Sequence, residues 1–316
     1  FNNIVSAEGT LKADEMYSAE DLTADTYVGM EIAMRDGVLT VVSPLKGTPA
    51  YNAGVKAGDK IVKIGEKSTY NMSVDESVAL IRGEKGTPVV FTIVREGADE
   101  PLVITVLRDV IDIPTIDTEL RSDGVFVISL YNFSSVSPEL FRKALREFID
   151  ARTDKLVLDL RGNPGGYLEA AISMASWFLP SGKIVVKEDF GGKQEEVIYR
   201  SSGYDIFNSK LKLVILIDGG SASASEILAG ALREHNVAKL VGSKTFGKGS
   251  VQQLIPITSK TSLKVTIAHW LTPNGNSISE KGIEPDVKVA LTPEDAKAGK
   301  DPQKDKAVEL LLNWDK

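Results

Sequence analysis

The sequence contains no cysteine and only two histidines, His235 and His269. The missing cysteines exclude disulfides, thiolate nucleophiles and iron–sulfur clusters, and so few imidazoles leave little for a histidine-built metal site. No HExxH motif is present. Apolar runs such as Leu213–Ile217 are far too short to span a bilayer. The chain begins at Phe1 rather than Met, so a removed leader is neither supported nor excluded.

Basic residues are also in the minority, with 37 Lys and Arg against 44 Asp and Glu and a net charge of −7. The absence of any basic run argues against a nucleic-acid partner and against an anionic membrane surface. A hydrophobic fraction of 42% with 26% charged residues is ordinary for a soluble globular protein. At about 150 residues per domain, the length predicts about two domains.

A small β-rich domain is predicted at residues 24–109, after a polar lead-in segment at 1–23. Alternating apolar residues predict strands at Val38–Val42, Lys60–Ile64, Pro88–Arg95 and Leu102–Leu107. Helical spacing of apolar residues predicts a helix at Val74–Ile81, with Gly83 as its C-cap. Residues 109–114 are interpreted as a connector.

A larger α/β region is predicted at residues 110–290, followed by a helical segment at 291–316. Its first strands alternate with helices: Val125–Leu130, Pro138–Ala151, Leu156–Leu160, Tyr167–Phe178, Leu213–Ile217 and Ala224–Arg233. Two later strands, Leu263–Leu271 and Val287–Ala290, precede a final helix at Asp305–Trp314. The apolar side of that helix (Val308, Leu311, Leu312 and Trp314) suits either a dimer interface or packing on the chain's own core.

Two strand–loop–helix units have the same layout, with a glycine-rich loop at the carboxyl end of an apolar strand, where open α/β sheets bind ligands. The loops are Arg161–Gly166 and Gly219–Ala224. Each enters a helix N-terminus, where free backbone N–H groups favour an anion. Two such loops facing each other could hold a developing oxyanion.

Ser223 stands at the start of the second of these helices. Its spacing to Glu226 also fits a capping box, Ser-x-x-Glu, which stabilises a helix and involves no chemistry. The residues alone leave both interpretations open.

Lys248 lies between Gly247 and Gly249, where the backbone can fold tightly. A lysine acts as a general base when it is neutral, and desolvation favours the neutral state. If residues 249–257 form a strand, positions 248, 250 and 252 share a face, so Gln252 could orient Lys248. The alternative is a surface lysine in a hairpin turn.

Two other catalytic or binding patterns are disfavoured. Gly242–Lys248 fits the G-x-x-x-x-G-K of a phosphate-binding loop, but Gly249 replaces the expected Ser or Thr and a strand follows instead of a helix. The sequence places neither histidine beside Ser223, as a Ser-His-Asp triad would require. His235 ends the helix about three turns from Ser223, and His269 lies in an alternating strand.

Three segments together resemble the C-terminal processing peptidases, also called tail-specific proteases: Leu158–Gly166 (LDLRGNPGG), Gly219–Ile227 (GGSASASEI) and Phe246–Gln252 (FGKGSVQ). The resemblance implies a crotonase-like layered α/β protease core with an inserted PDZ domain. It implies that Ser223 is the nucleophile, Lys248 the general base and Gln252 the residue that orients the lysine. The implied oxyanion hole uses the N–H of Ala224 and of a first-loop glycine, for which we favour Gly166 over Gly165.

The small domain is similar to PDZ domains of bacterial proteases, through Ser43–Ala50 (SPLKGTPA), Gly58–Asp59 and Leu80–Gly83 (LIRG). PDZ domains add a peptide strand to a sheet edge and hold its terminal carboxylate with backbone N–H groups. The resemblance places that peptide-binding loop at Tyr27, Val28, Gly29 and Met30, a segment poorer in glycine than is usual. It also places Arg82 at the end of the helix that flanks the groove.

The resemblance, which covers residues 24–290, implies a serine endopeptidase that cleaves proteins at or near their C-termini and is recruited and gated by its PDZ domain. It further implies an extracytoplasmic location, no metal or other cofactor, and a possible homodimer. Two rival functions remain to be tested: a binding or chaperone protein on the same scaffold, and an acyl-CoA enzyme of the crotonase type, which would need neither the PDZ domain nor a Ser–Lys pair.

Overall fold

The structure is a computed structural model that describes residues 3–6, 28–45, 47–109, 115–204, 206–207, 210–257, 261–279, 281–292, 295 and 298–314. The described residues form two compact units. The first lies within Phe1–Ile113 and Val251–Ile267, and the second within Pro114–Ser250 and Ala268–Lys316. Residues 251–267 thus group with the first unit, although the sequence placed them within 110–290.

An antiparallel sheet and two helices form most of the first unit. Its elements are β1 (Asn3–Ser6), β2 (Met30–Arg35), β3 (Val38–Pro44), α1 (Pro49–Asn52), β4 (Lys60–Ile64), β5 (Lys67–Ser68), α2 (Val74–Ile81), β6 (Pro88–Val94) and β7 (Leu102–Leu107). The strand order is β2-β3-β4-β6-β7, so β2 is an edge strand of the sheet. Leu39, Val41, Ile61, Phe91 and Ile93 alternate inward to form a separate small core.

The predicted strands and helix of this unit are confirmed, but the predicted cap of α2 is wrong. Arg82 is the C-cap and has an extended backbone, and Gly83 does not adopt the left-handed conformation of a glycine cap. The last carbonyls of α2 are instead bound by Arg108, whose guanidinium donates to the carbonyls of Ile81 (2.6 Å) and Leu80 (3.1 Å). Residues 110–114 of the predicted connector at 109–114 lie outside the described residues.

The remaining elements combine strands and helices. They are β8 (Ile116–Leu120), β9 (Phe126–Leu130), α3 (Ser137–Asp150), β10 (Lys155–Asp159), α4 (Leu168–Ala175), β11 (Ile184–Asp189), β12 (Val197–Arg200), β13 (Lys212–Ile217), α5 (Ala224–Glu234), β14 (Ala238–Gly242), β15 (Ser250–Pro256), β16 (Thr261–Leu271), β17 (Val287–Lys288) and α6 (Pro302–Leu312). The predicted strands and helices from β9 to α5 are confirmed, but β11 and β12 intervene between α4 and β13, and α4 ends at Ala175 rather than at Phe178.

A six-stranded sheet of order β17-β14-β13-β10-β9-β8 organises the second unit, and all of its pairings are parallel except that of β8 with β9. Parallel strands buried on both faces read as continuous apolar runs, as β13 does. Helices α3, α4 and α5 contribute to the core on one face. Helix α6 covers the other face.

The terminal helix packs on the core of its own chain. Ala307, Val308 and Leu311 are buried against sheet residues such as Val127 and Val214. The predicted apolar residue Leu312 remains about half exposed, at 48%. Within the described residues, no helix is long and apolar enough to cross a membrane.

Candidate active site

Two loops meet at one edge of the parallel sheet. The first loop, residues 161–166, connects β10 to α4, and the second loop, residues 218–223, connects β13 to α5. Because β10 and β13 are adjacent and parallel, both loops leave the sheet at the same edge. Direct hydrogen bonds between the two loops show that they lie together.

Backbone and side-chain hydrogen bonds hold the two loops against each other. The carbonyl of Asn163 accepts from the Ala222 N–H (3.0 Å) and from Ser225 Oγ (2.9 Å). Asp218 Oδ1 accepts from the N–H groups of Gly162 and Gly220, both at 2.9 Å. Burial raises the pKa of Asp218, and these two N–H groups oppose that rise. Residues on both loops therefore have fixed positions.

Ser223 joins the second loop to α5 in a conformation that few side chains adopt. Its φ is +52° and its ψ is −115°, and its side chain is half-buried. A non-glycine residue at such dihedrals costs of order 1–3 kcal/mol and is retained where surrounding contacts over-determine it, often at functional sites.

The carboxylate of Glu226 connects Ser223 to the segment that contains Lys248. Its Oε2 accepts from the backbone N–H of Ser223 and of Lys248, both at 2.9 Å. Its Oε1 accepts from the Gly247 N–H (2.8 Å) and from Thr245 Oγ1 (2.5 Å). Glu226 is fully buried, and burial raises its pKa while these four donors oppose the rise.

The sequence identified Glu226 only as the acidic member of a capping box. Its bond to the Ser223 N–H is the bond that the acidic residue of a capping box makes. Its other three bonds are to residues 19 to 22 positions later in the chain. One signal was available, since Glu226 is the single charged residue in the run Ala222–Leu232. An acid in an apolar run is buried and must be hydrogen-bonded.

Lys248 lies in a segment whose glycines allow close backbone approach. Gly247 has a φ of +88°, in the left-handed region. A Cβ on Gly249 would lie 2.3 Å from the backbone nitrogen of Ser279, so no side chain fits there. Lys248 itself is half-buried, and strand β15 follows it at Ser250. The absence of a helix after the lysine confirms that Gly242–Lys248 is not a phosphate-binding loop.

The two candidate glycines of the oxyanion hole differ in their N–H groups. Gly165 is buried and its N–H donates to Asn163 Oδ1 at 2.9 Å. Gly166 is exposed, and its N–H donates to no acceptor within the described part of the chain; the same holds for the N–H of Ala224, the first residue of α5. A Cβ on Gly165 would lie 2.8 Å from Cβ of Ser223 and 2.9 Å from the Ala224 nitrogen. The first loop therefore touches the candidate nucleophile.

Gln252 and the two histidines form none of the hydrogen bonds described above. Gln252 is exposed on β15 and belongs to the first compact unit. His235 is the C-cap of α5 and its Nε2 contacts the Ile184 carbonyl at 2.7 Å, while Nδ1 of His269 contacts Ser279 Oγ at 2.8 Å. No cluster of three metal-binding side chains occurs among the described residues.

The predicted PDZ segment lies at the start of edge strand β2. Val28 is buried, and its carbonyl accepts from the Ala50 N–H at 2.7 Å. Gly29 has a φ of +74°, and Met30 is the first residue of β2. Helix α2, which Arg82 ends, contacts β2. Tyr27 lies outside the described residues.

Arg161 ties the first loop to the terminal helix. Its guanidinium forms two bonds to Asp301, both at 2.8 Å, and two to Asp159, at 2.9 and 2.7 Å. Burial alone would lower the pKa of Arg161, but the two carboxylates raise it well above its ordinary value. Asp301 is the N-cap of α6, so this ion pair joins the base of the first loop to a helix about 140 residues later.

The chain matches two family models. The model of Peptidase family S41 matches residues 124–289, more than half of the chain, and a PDZ domain model matches residues 40–95. The carboxy-terminal processing protease CtpA of Bacillus subtilis (strain 168) is 38% identical over 268 residues, which is 84% of this chain and 56% of that protein. A carboxy-terminal-processing protease of Bartonella bacilliformis is 41% identical over 286 residues, 88% of this chain and 65% of that protein. The chain thus spans less than two thirds of the length of either relative.

Solved structures give the same result. A photosystem II D1 C-terminal processing protease has a TM-score of 0.79 and 28% identity, covering 91% of this chain and 77% of that one. A putative peptidase from Parabacteroides merdae has a TM-score of 0.53 and 22% identity, over 63% of this chain and 64% of that one, and supports the fold alone.

Proposed function

This chain belongs to Peptidase family S41, and on that premise we propose that it is a serine endopeptidase with a Ser223–Lys248 dyad on a crotonase-like core. One observation carries the proposal. The buried carboxylate of Glu226 accepts hydrogen bonds from the backbone N–H of both Ser223 and Lys248, so one side chain joins the backbone at the two proposed catalytic residues.

The chemistry uses one proton carrier. Neutral Lys248 Nζ takes the proton of Ser223 Oγ as that oxygen attacks a peptide carbonyl carbon. The tetrahedral intermediate collapses when the C–N bond breaks, and Lys248 gives its proton to the leaving amine. Water then attacks the acyl-enzyme ester and loses a proton to Lys248. The bond between the acyl carbon and Ser223 Oγ breaks, Lys248 returns that proton to Oγ, and the acid product leaves. Gln252 orients the lysine in this scheme.

The oxyanion is held by the N–H groups of Ala224 and Gly166. Both groups lack an acceptor in the described part of the chain, and preorganised N–H donors stabilise the charge that develops on the carbonyl oxygen. Gly165 serves as a spacer in this scheme, because its N–H is already bound by Asn163 and its backbone lies against Ser223.

Peptidase activity tests the proposal directly. Unfolded casein should be cut by the wild type, and Ser223→Ala and Lys248→Ala should each abolish cutting with the circular dichroism spectrum unchanged. Ser243→Ala and Lys244→Ala are matched controls, since both residues are exposed and lie on the segment before Lys248. Full activity in Lys248→Ala would refute the dyad.

We propose that the substrate is a protein C-terminus bound by the PDZ domain, which then gates cleavage. The relatives' names, carboxy-terminal processing protease, support this substrate class, and β2 is an edge strand beside α2 that could accept a peptide strand at Val28–Met30. Bound peptide would favour the catalytically competent arrangement by differential contacts, in which Arg82 takes part.

Two measurements separate gating from tethering. Amidation of a substrate's C-terminus should slow its cleavage if carboxylate capture matters. Arg82→Ala should lower turnover more than it weakens peptide binding. If acid and amide peptides are cut equally and Arg82→Ala has no effect, the PDZ domain does not gate. The extracytoplasmic location and a homodimer are proposals that rest on the family resemblance; cell fractionation and sedimentation test them.

A further inference from the structure

Asn163, near the centre of the first loop, is fully buried, and each of its four polar atoms has a hydrogen-bond partner. Its Oδ1 accepts from the Gly165 N–H at 2.9 Å, and its Nδ2 donates to the Leu130 carbonyl at 2.8 Å. Its backbone N–H donates to the Leu160 carbonyl at 3.2 Å, and its carbonyl accepts from the Ala222 N–H at 3.0 Å. These partners fix the orientation of the carboxamide, because a backbone N–H can only donate and a carbonyl can only accept.

The bond to Asn163 occupies one of two successive glycine N–H groups. It spans Pro164, whose ring fixes its own φ and stiffens the turn. The next N–H along the chain, that of Gly166, donates to no acceptor in the described part of the chain. Of the two glycine N–H groups, that of Gly166 is therefore the one available to a substrate carbonyl.

Strand β9 and the residues after it hold the first loop from the other side. Leu130, whose carbonyl accepts from Asn163, is the last residue of β9. Three residues later the Phe133 N–H donates to the Gly165 carbonyl at 2.8 Å. Gly165 is thus bound at its N–H by Asn163 and at its carbonyl by Phe133. Such fixed positions matter because an oxyanion is stabilised by donors that are in place before the reaction begins.

We infer that Asn163 is a positioning residue of the proposed reaction: its side chain binds the Gly165 N–H and thereby leaves the Gly166 N–H to bind the substrate carbonyl. The inference rests on the proposed peptidase function, in which Gly166 and Ala224 hold the oxyanion. Asn163 acts through Gly165 rather than on the substrate.

Two substitutions of similar size separate this bond from the packing of the side chain. Asn163→Leu removes the acceptor and the donor, whereas Asn163→Asp keeps an acceptor for the Gly165 N–H. Burial favours the neutral carboxyl of the aspartate, whose O–H can donate to the Leu130 carbonyl as Nδ2 does.

We expect Asn163→Leu to lower kcat by about 100-fold, the effect of losing one oxyanion donor, with KM within about threefold of the wild type. Asn163→Asp should stay within about fivefold in kcat, the size of one neutral hydrogen bond. Asn274→Leu, in the exposed turn after β16, is the control and should stay within about twofold. Equal losses of kcat in the two Asn163 variants would overturn the inference.

A transition-state analogue separates positioning from a merely structural role. A peptide aldehyde bonds its carbonyl carbon to Ser223 Oγ, the Oγ proton passes to Lys248, and the aldehyde oxygen becomes the bound oxyanion. The peptide alcohol of the same sequence cannot form this bond. In Asn163→Leu the inhibition constant of the aldehyde should rise by about 100-fold, while that of the alcohol stays within about threefold. Equal weakening of both inhibitors would mean that Asn163 only supports the fold, and the inference would be wrong.

The wild type offers a test that does not depend on the folding of any variant. Pro164–Gly165 is the only Pro-Gly pair in the sequence, so carbonyl-¹³C proline with ¹⁵N glycine isolates the Gly165 N–H in a carbonyl-filtered NMR spectrum. We expect its amide proton to have the same chemical shift in the aldehyde and alcohol complexes, because Asn163 remains its acceptor. A downfield shift in the aldehyde complex alone would show that Gly165 binds the oxyanion, contrary to the inference.

Failure of the inference is distinguishable from failure of the proposed function. If the wild type cuts casein and Asn163→Leu retains its kcat, the positioning role is wrong and the peptidase stands. If the wild type neither cuts casein nor forms the aldehyde adduct on Ser223, the proposed function fails and the inference falls with it.

Discussion

The carboxylate of Glu226 lies 2.9 Å from the backbone nitrogen of Lys248, although the two residues are 22 positions apart. The same oxygen accepts from the Ser223 N–H, so this acid fixes two segments that the reaction requires to be adjacent. Effective proximity of a nucleophile and its base is worth a large part of a catalytic rate enhancement. In the proposed mechanism Glu226 is a positioning residue, since it acts through its neighbours.

Glu226→Gln should lower kcat by about 100-fold, because misplacement by about an ångström has an effect of this size. A carboxamide has one accepting oxygen, so its NH₂ group would face either the Ser223 and Lys248 pair or the Thr245 and Gly247 pair. Steady-state kinetics on a peptide substrate measures the loss. Glu139→Gln, an exposed acid on α3, is the control, and a kcat within twofold of the wild type in Glu226→Gln would count against positioning.

Thr245→Val should destabilise the second unit by about 1–3 kcal/mol, the cost of leaving a buried polar group unsatisfied. Thr245 Oγ1 donates to Glu226 and accepts from the Ile283 N–H at 2.6 Å, and both bonds disappear with the hydroxyl. Urea unfolding measures the change. Thr245→Ser keeps the hydroxyl and should lose much less; equal losses in the two variants would assign the effect to packing instead.

Gly165→Ala should reduce activity strongly. Its φ is +102°, and the new Cβ would lie 2.8 Å from Cβ of Ser223, so either the nucleophile or the first loop must shift. Gly275→Ala separates the two causes, because Gly275 also has a positive φ (+84°) but has open space around the Cβ position. Similar kcat losses in both variants would mean that contact with Ser223 is not responsible.

Asp301→Asn tests the link between the first loop and α6 through its pH dependence. Burial alone would raise the pKa of Asp301, but the hydrogen bonds and charge of Arg161 outweigh it and lower the pKa. A carboxyl with a lowered pKa adds stability that is present above its unfolded pKa of about 3.9 and is lost as the pH falls through the folded pKa. Asparagine also caps helices well, so the variant changes mainly the charge.

The free energy of unfolding should therefore be lower in Asp301→Asn than in the wild type at pH 7, and the gap should close below about pH 4. Urea unfolding at pH 7, 5 and 3 follows the gap. Asp305→Asn, an exposed acid in the first turn of α6, provides the comparison. A gap that is constant with pH would show that the Arg161 ion pair does not stabilise the chain.

Local patterns predicted local structure well in this chain. The bounds of β4 and α2 follow directly from apolar spacing, and the two glycine-rich loops lie together because parallel strands bring them to one edge. Contacts between residues far apart in the sequence could not be predicted from these local patterns. Arg108 binds the carbonyl of Ile81, which lies 27 residues earlier in the chain, so its role at the end of α2 could not be predicted from the local sequence. The sequence therefore assigned the helix cap to Gly83.

The same limit applies to the candidate site. Motifs predicted roles for Ser223, Lys248 and the glycines, and the preference for Gly166 over Gly165 had no structural basis in the sequence. Their difference depends on whether Asn163 bends back to accept one N–H, which is a property of the folded loop. The bonds of Glu226 depend in the same way on the packing of α5 against the segment before β15.

Detection of an acyl-enzyme tests the central claim most directly. The wild type is mixed with a peptide p-nitrophenyl ester, quenched in acid, digested and examined by mass spectrometry. The account predicts a peptide-sized mass increase on the fragment that contains Ser223, formed by the wild type and absent in Ser223→Ala. Lys244→Ala should form the adduct as the wild type does, whereas Lys248→Ala should form it far more slowly. Turnover of the ester with no adduct on Ser223, or with an adduct on another residue, would contradict the account.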